Sequence, residues 1–116
     1  MSASTKIEKL YEQMNQSRLK NFDKNSLKIL NAVSKITGHS SMDIMSRRRQ
    51  KNVALARQIA MYLTVELTGK SYPTVGDLYN KDHTTVQYAC TKIRSRGRGR
   101  TPMNTTLNAV LEELAA

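Results

Sequence analysis

The sequence has no tryptophan and a single phenylalanine, so aromatic side chains cannot carry its core. The core must come from Leu, Ile, Val, Ala and Met, a mixture that suits helices better than sheets. One cysteine, Cys90, excludes an internal disulfide. No apolar run is long enough to span a bilayer or act as a signal peptide, and the expected location is intracellular. The glycosylation-like triplets Asn15-Gln16-Ser17 and Asn104-Thr105-Thr106 are then chance matches. Carboxylates are scarce and scattered, giving no paired acid/base site. The two histidines, His39 and His83, share no metal-ligand spacing with Cys90. No enzymatic activity, cofactor or metal is expected.

What is abundant is positive charge. Nineteen Lys and Arg against nine Asp and Glu give a net charge of +10, and that excess repels itself unless a polyanion lies nearby. Nucleic acid is the first partner to consider. The cations cluster at Arg47, Arg48, Arg49, Lys51 and Arg57 and again at Lys92, Arg94, Arg96, Arg98 and Arg100. Neither cluster is interleaved with the apolar stripe of an interfacial helix, which argues against a membrane surface.

A chain of 116 residues fits one compact domain with arms or tails. Over residues 6–22, Ile7, Leu10, Tyr11 and Met14 share one helical face. This amphipathic arm packs either on the domain's own core or on a second copy or another protein. Leu27, Ile29, Leu30, Val33 and Ile36 mark the next helix, which Gly38 closes. Ser40-Ser41-Met42-Asp43 opens a short helical turn over Ser41–Met45, and the basic segment Ser46–Lys51 follows it. The longest helix spans about Val53 to Thr68, with Val53, Ala56, Ile59, Ala60, Leu63 and Leu67 buried and Gly69 as its stop.

Pro73 suits the first turn of a short helix ending at Tyr79, where its missing N–H costs nothing. Asn80-Lys81 makes a tight turn and Asp82 caps a helix whose inner face is Val86, Ala89, Cys90 and Ile93. Two helices joined by a tight turn, the second polar at its start, form the pattern of a helix-turn-helix. Past Ile93 the Arg-Ser-Arg-Gly-Arg-Gly-Arg run lacks apolar periodicity and reads as extended or flexible. Leu107, Val110, Leu111 and Leu114 mark a last helix, with Asn104 or Thr105 as its cap. Gly69-Lys70-Ser71 looks like the end of a phosphate-binding loop, but Thr64 occupies the position that needs glycine, and the triplet follows a helix.

The segment Asp82-His83-Thr84-Thr85-Val86 resembles the signature of the C-terminal DNA-binding domain of the bacterial replication initiator DnaA. Upstream, Ala56-Arg57-Gln58-Ile59-Ala60-Met61-Tyr62-Leu63 with Glu66-Leu67-Thr68-Gly69 resembles that domain's central helix. Ser46-Arg47-Arg48-Arg49 resembles its basic loop. The resemblance runs from about Ser26 to Ile93. It implies that Asp82, His83 and Thr84 touch base edges in the major groove and that Arg49 enters the adjacent minor groove. It further implies phosphate contacts from Arg47, Arg48, Lys51, Arg57, Gln58, Lys81 and Thr85. The turn Tyr79-Asn80-Lys81 is one residue shorter than the usual Gly-Gly-Arg version, which alters the angle of the recognition helix. Val65 stands where the family commonly has a basic phosphate contact.

The expected organisation is all-α: an amphipathic arm (1–24), a helix-turn-helix domain (25–93), an Arg/Gly-rich linker (94–104) and a C-terminal helix (105–116). The resemblance carries no ATPase module, so a free-standing bacterial or phage reader of double-stranded DNA is expected, cytoplasmic and associated with the nucleoid. It would regulate replication or transcription by occupying DnaA-box-like sites. The alternatives are nonspecific or architectural nucleic-acid binding, in which Arg94, Arg96, Arg98 and Arg100 lie along phosphates, in a minor groove or on RNA, and a protein-interaction module. In the last, the terminal helices make a homodimer or recruit a replication or transcription partner.

Overall fold

The computed structural model describes residues 3–96, 99 and 101–116, the side chain of Ser4 excepted. Among the described residues there are seven helices and no strand: α1 (Ala3–Leu19), α2 (Lys24–Thr37), α3 (Ser41–Met45), α4 (Lys51–Thr68), α5 (Tyr72–Tyr79), α6 (His83–Arg96) and α7 (Pro102–Ala115). The protein is all-α.

Local chemistry sets the helix ends. The Asp23 carboxylate accepts from the Ser26 N–H to start α2, and its pKa falls well below the ordinary carboxylate range, with the neighbouring Ser26 as the leading cause. Gly38 (φ 78°) and Gly69 (φ 74°) close α2 and α4 in the left-handed conformation. Ser40 caps α3 and Ser71 caps α5, with Pro73 in the first turn of α5.

Several helix boundaries differ from the sequence expectation, among them α1, which spans Ala3–Leu19 rather than 6–22. Helix α4 begins at Lys51 rather than Val53, drawing the last residue of the basic segment into its first turn. Helix α6 continues through Arg96, so Arg94–Arg96 are helical rather than extended. The cap of α7 is Thr101, whose Oγ1 accepts from the Asn104 N–H at 3.1 Å, rather than Asn104 or Thr105; Pro102 fits the first helical position behind it.

Helix α4 is the central strut, packed by α2, α3, α5 and α6. Leu30 and Val33, Ile44 and Met45, Ile59 and Ala60, and Val75 and Tyr79 bury their side chains around it, joined by Val86, Ala89, Cys90 and Ile93 from α6. Helix α7 lies on α2 through Leu107 and Val110, with an exposed Lys35–Glu113 ion pair at 2.7 Å. Leu67, expected in the buried stripe of α4, is 56 % exposed. One turn earlier the inward position passes to Thr64, fully buried with its hydroxyl satisfied by the Ala60 carbonyl at 2.7 Å.

For helix α1 the sequence left two seats open for the apolar stripe. Ile7, Leu10 and Met14 are 52 %, 59 % and 54 % exposed, so this stripe does not pack on the domain's own core. Of the expected stripe only Tyr11 turns toward the domain; with Asn15 and Arg18 it meets α3 and α5 through polar bonds, and Leu19 at the end of α1 packs against the core. Asn15 Nδ2 donates to the Met45 carbonyl at 3.2 Å and Arg18 Nη1 to that of Asp77 at 3.3 Å. Asn80 Nδ2 donates to the Tyr11 hydroxyl at 3.4 Å. The apolar stripe was the stronger sequence signal, but main-chain carbonyls at the ends of α3 and α5 offered directional partners that an apolar face cannot use.

The turn between α5 and α6 is held by Asn80 (φ 54°) and by the Lys81 N–H donating to the Gly76 carbonyl at 2.8 Å. A Cβ on Gly76 would stand 2.4 Å from the Lys81 carbonyl oxygen. Backbone cannot yield there without opening the turn. Gly76→Ala should therefore destabilise the chain by about 1–3 kcal/mol in urea unfolding, despite alanine's advantage of roughly 1 kcal/mol in a helix. A stabilised variant would contradict this account of the turn.

Candidate nucleic-acid interface

At the start of α6 the Asp82 carboxylate organises its two successors. Its Oδ1 accepts from the Thr84 N–H at 3.0 Å and the Thr84 hydroxyl at 3.1 Å, and lies 2.9 Å from His83 Nδ1. The Thr84 N–H bond is the leading reason that the carboxyl titrates below its ordinary value. The Asp82 side chain is itself 64 % exposed. His83, Thr84 and Thr85 are all exposed around it, at the helix end whose N–H groups and dipole favour an anion.

The basic loop lies beside this turn because other elements grip its main chain. Arg57 of α4, 8 % exposed, sends Nε to the Ile44 carbonyl at 2.6 Å and Nη2 to the Arg48 carbonyl at 3.0 Å. Lys81 Nζ reaches the Ser46 carbonyl at 3.4 Å, and Asn15 holds that of Met45. The Ser46 hydroxyl donates to the Asp43 carbonyl at 2.6 Å and accepts from the Arg48 N–H at 3.2 Å. So fixed, the loop leaves Arg47, Arg48 and Arg49 exposed.

Between the loop and α6 runs a groove of about 500 Å³ lined by Arg47, Arg49, Arg57, Gln58, Lys81 and Thr85. Its cations are close enough to disturb one another. The Lys81 ammonium is pushed down from 10.5 to about 8, first by burial and then by Arg57, Arg47 and Arg49. The groove therefore gathers the positive charge of Arg47, Arg49, Arg57 and Lys81 on one surface.

The structure brings together most, though not all, of the residues singled out in the sequence. Arg47, Arg49, Lys81, Gln58 and Thr85 converge on the groove. Arg57 reaches it too, but much of its guanidinium is engaged by the loop carbonyls. Gln58 Oε1 accepts from Lys92 Nζ at 3.0 Å, which draws part of the second basic cluster to the groove's edge. Lys51 is exposed at the start of α4 and Arg48 lies toward α1, 3.9 Å from Asp43; neither lines the groove. Arg94 is held by Glu66 and by the Tyr72 hydroxyl, which raise its pKa, Glu66 foremost. Arg96 ends α6 and is exposed, while Arg98 and Arg100 lie outside the described residues. Two participants were not foreseen, Asn15 and Tyr11. The only sequence signal was a pair of hydrogen-bonding residues four positions apart on an amphipathic helix.

A family model described as the bacterial dnaA protein helix-turn-helix matches residues 27–93, the segment that contains the basic loop, the groove and the first turns of α6. The chromosomal replication initiator protein DnaA of Bordetella pertussis is 50 % identical over 72 residues, covering 61 % of this chain and 15 % of that protein. Its counterpart in Thermoanaerobacter sp. (strain X514) is 57 % identical over 51 residues, covering 44 % of this chain and 12 % of that protein. The match thus takes in only a small part of these initiators. The matched segment is a helix-turn-helix and not a catalytic module. No helix among the described residues is long and apolar enough to cross a membrane.

Two outcomes follow from the grip on the loop and the crowded cations. Arg57→Ala should cost roughly 2–3 kcal/mol in thermal or urea unfolding, because buried carbonyls lose their donors. Lys81 supplies a proton-linked readout. The folded chain releases this proton near pH 8, whereas an unperturbed lysine holds it to 10.5, so Lys81's contribution to folding stability should rise with pH between those values. A polyanion in the groove favours the charged form, so binding a duplex near pH 8.5 should take up protons in calorimetry with two buffers. The uptake should fade below about pH 7, where Lys81 is already charged, and vanish in Lys81→Gln.

Proposed function

Because the chain belongs to the bacterial DnaA helix-turn-helix family, we propose that it reads double-stranded DNA at DnaA-box-like sites and regulates replication or transcription by occupying them on the nucleoid. The observation that carries this reading is the cationic groove set directly beside the open N-terminus of α6. A phosphate strand in that groove would be met by Arg47, Lys81 and Thr85, fixing the register in which the helix end enters the major groove.

In that register His83 and Thr84 are the base-reading side chains, and Asp82 has a double task. Its Oδ1 sets the orientation of both neighbours, and the exposed carboxylate is an acceptor available to a cytosine amino group. Arg49, exposed at the loop, would extend into the adjacent minor groove, where a narrow A·T-rich sequence concentrates negative potential. Arg48 and Lys51 would add phosphate contacts at the edges. Arg57 serves mainly by holding the loop that carries these groups. The Arg/Gly run is a lesser contributor on this reading, since Arg94 is already paired with Glu66.

The test is binding to duplexes carrying a DnaA box or its scrambled sequence at moderate, stated salt. The box should be preferred, and His83→Ala and Thr84→Ala should each remove about 1–3 kcal/mol of that preference. Arg47→Ala should instead weaken both duplexes alike and reduce the salt slope by about 1. Equal affinity of the unmodified chain for both duplexes would leave only nonspecific binding.

A further inference from the structure

We propose that α1, which lies outside the family-matched segment, is a working part of the DNA-reading surface, with Tyr11 and Asn15 as positioning residues for the basic loop. The inference rests on the reading just given for that loop. The guanidinium of Arg47 lies over the Tyr11 ring, 4.8 Å from its centroid, within the range of a cation–π contact. Asn15, 2 % exposed, fixes the Met45 carbonyl at the entrance of the loop. The Tyr11 hydroxyl in turn accepts from Asn80, the residue that closes α5 just before α6. One helix therefore touches both halves of the interface: the loop that carries the arginines and the turn that aims α6.

The placement of Arg47 shows what this contact does. Arg47 lies on the rim between two concavities, the cationic groove and a smaller cleft of about 230 Å³ under α1. Glu8, Glu12 and Asp43 line that smaller cleft beside Tyr11, so a polyanion is repelled from one side of Arg47 and drawn to the other. A loop arginine without the ring would sample many rotamers, and ordering it on DNA would cost entropy at the moment of binding. The Tyr11 ring meets that ordering cost beforehand, and a cation–π contact leaves in-plane guanidinium N–H groups free to donate to a phosphate.

The experiment uses the full chain and a labelled DnaA-box duplex, with a double-mutant cycle on Tyr11→Leu and Arg47→Ala and with Tyr11→Phe as the conservative variant. Tyr11→Leu should weaken binding about threefold to tenfold, the scale of one cation–π contact plus one ordered side chain. Tyr11→Phe should recover most of the loss. In the Arg47→Ala background Tyr11→Leu should lose most of its effect, because the partner it positions is gone. Hydrogen exchange on the free chain gives a second reading that needs no DNA: Tyr11→Leu should speed exchange at the amides of residues 47–50 while those of α4 keep their protection. Equal losses in both Arg47 backgrounds, or unchanged affinity and loop exchange, would overturn the proposal. A chain that binds box and scrambled duplexes equally would sink sequence reading instead, with the Tyr11–Arg47 cycle still measurable on either duplex.

Discussion

The arrangement of the basic loop depends on a buried charge. A guanidinium taken out of water is costly unless hydrogen bonds replace its hydration, and Arg57 finds them in the main chain of the loop it supports. The exchange works in both directions. Ile44 lies in the last turn of a five-residue helix and Arg48 sits in irregular chain, so neither carbonyl has a partner from regular structure. Neither group would be satisfied alone, and the loop is drawn down onto α4 as a consequence. Arg47 and Arg49 are then presented beside Lys81 and the first turn of α6.

That geometry concentrates like charge where the fold has no anion to offset it. The lowered proton affinity of Lys81 comes first from its burial and then from this crowding by Arg57, Arg47 and Arg49, and the chain as a whole carries a net charge of +10. A structure optimised only for its own stability would disperse these groups or pair them with carboxylates, as Arg94 is paired with Glu66 and Lys70 with Asp23. Among the described residues no carboxylate lines the groove itself, and Glu8, Glu12 and Asp43 lie on the far side of Arg47, in the cleft under α1. The helix N-terminus adds oriented N–H groups to the same field, so attraction and register are supplied by one surface.

Much of this was legible in the sequence because it is local. Gly38, Gly69 and Asn80 stop helices through backbone conformation alone, and Asp82 caps α6 through its nearest neighbours. The inner face of α6, Val86, Ala89, Cys90 and Ile93, follows from helical period and is fully or almost fully buried. What could not be read depends on partners distant in sequence. Arg57 looks like any cation on an amphipathic helix until the carbonyls of α3 and the loop arrive. Arg94 looks like the start of a basic tail until Glu66 and Tyr72 meet it. Composition also hid the inward turn of Thr64, because a threonine bonded to the carbonyl four residues back fills an apolar position without a buried, unsatisfied hydroxyl.

Helix α1 shows most clearly why periodicity misleads when a helix is seated by polar bonds. Apolar burial is nondirectional, and a helix held by Ile7, Leu10 and Met14 could rotate or slide by a fraction of a turn at little cost. Bonds from Asn15 to Met45, from Arg18 to Asp77 and from Asn80 to Tyr11 have defined directions and lengths, so together they fix both rotation and register. The apolar burial given up is a loss of stability, but the helix gains a fixed position relative to α3 and the α5–α6 turn. For an element whose ring lies under a loop arginine, that precision matters more than adhesion: a shift of one residue would carry Tyr11 away from Arg47 and Asn15 away from Met45 at the same time.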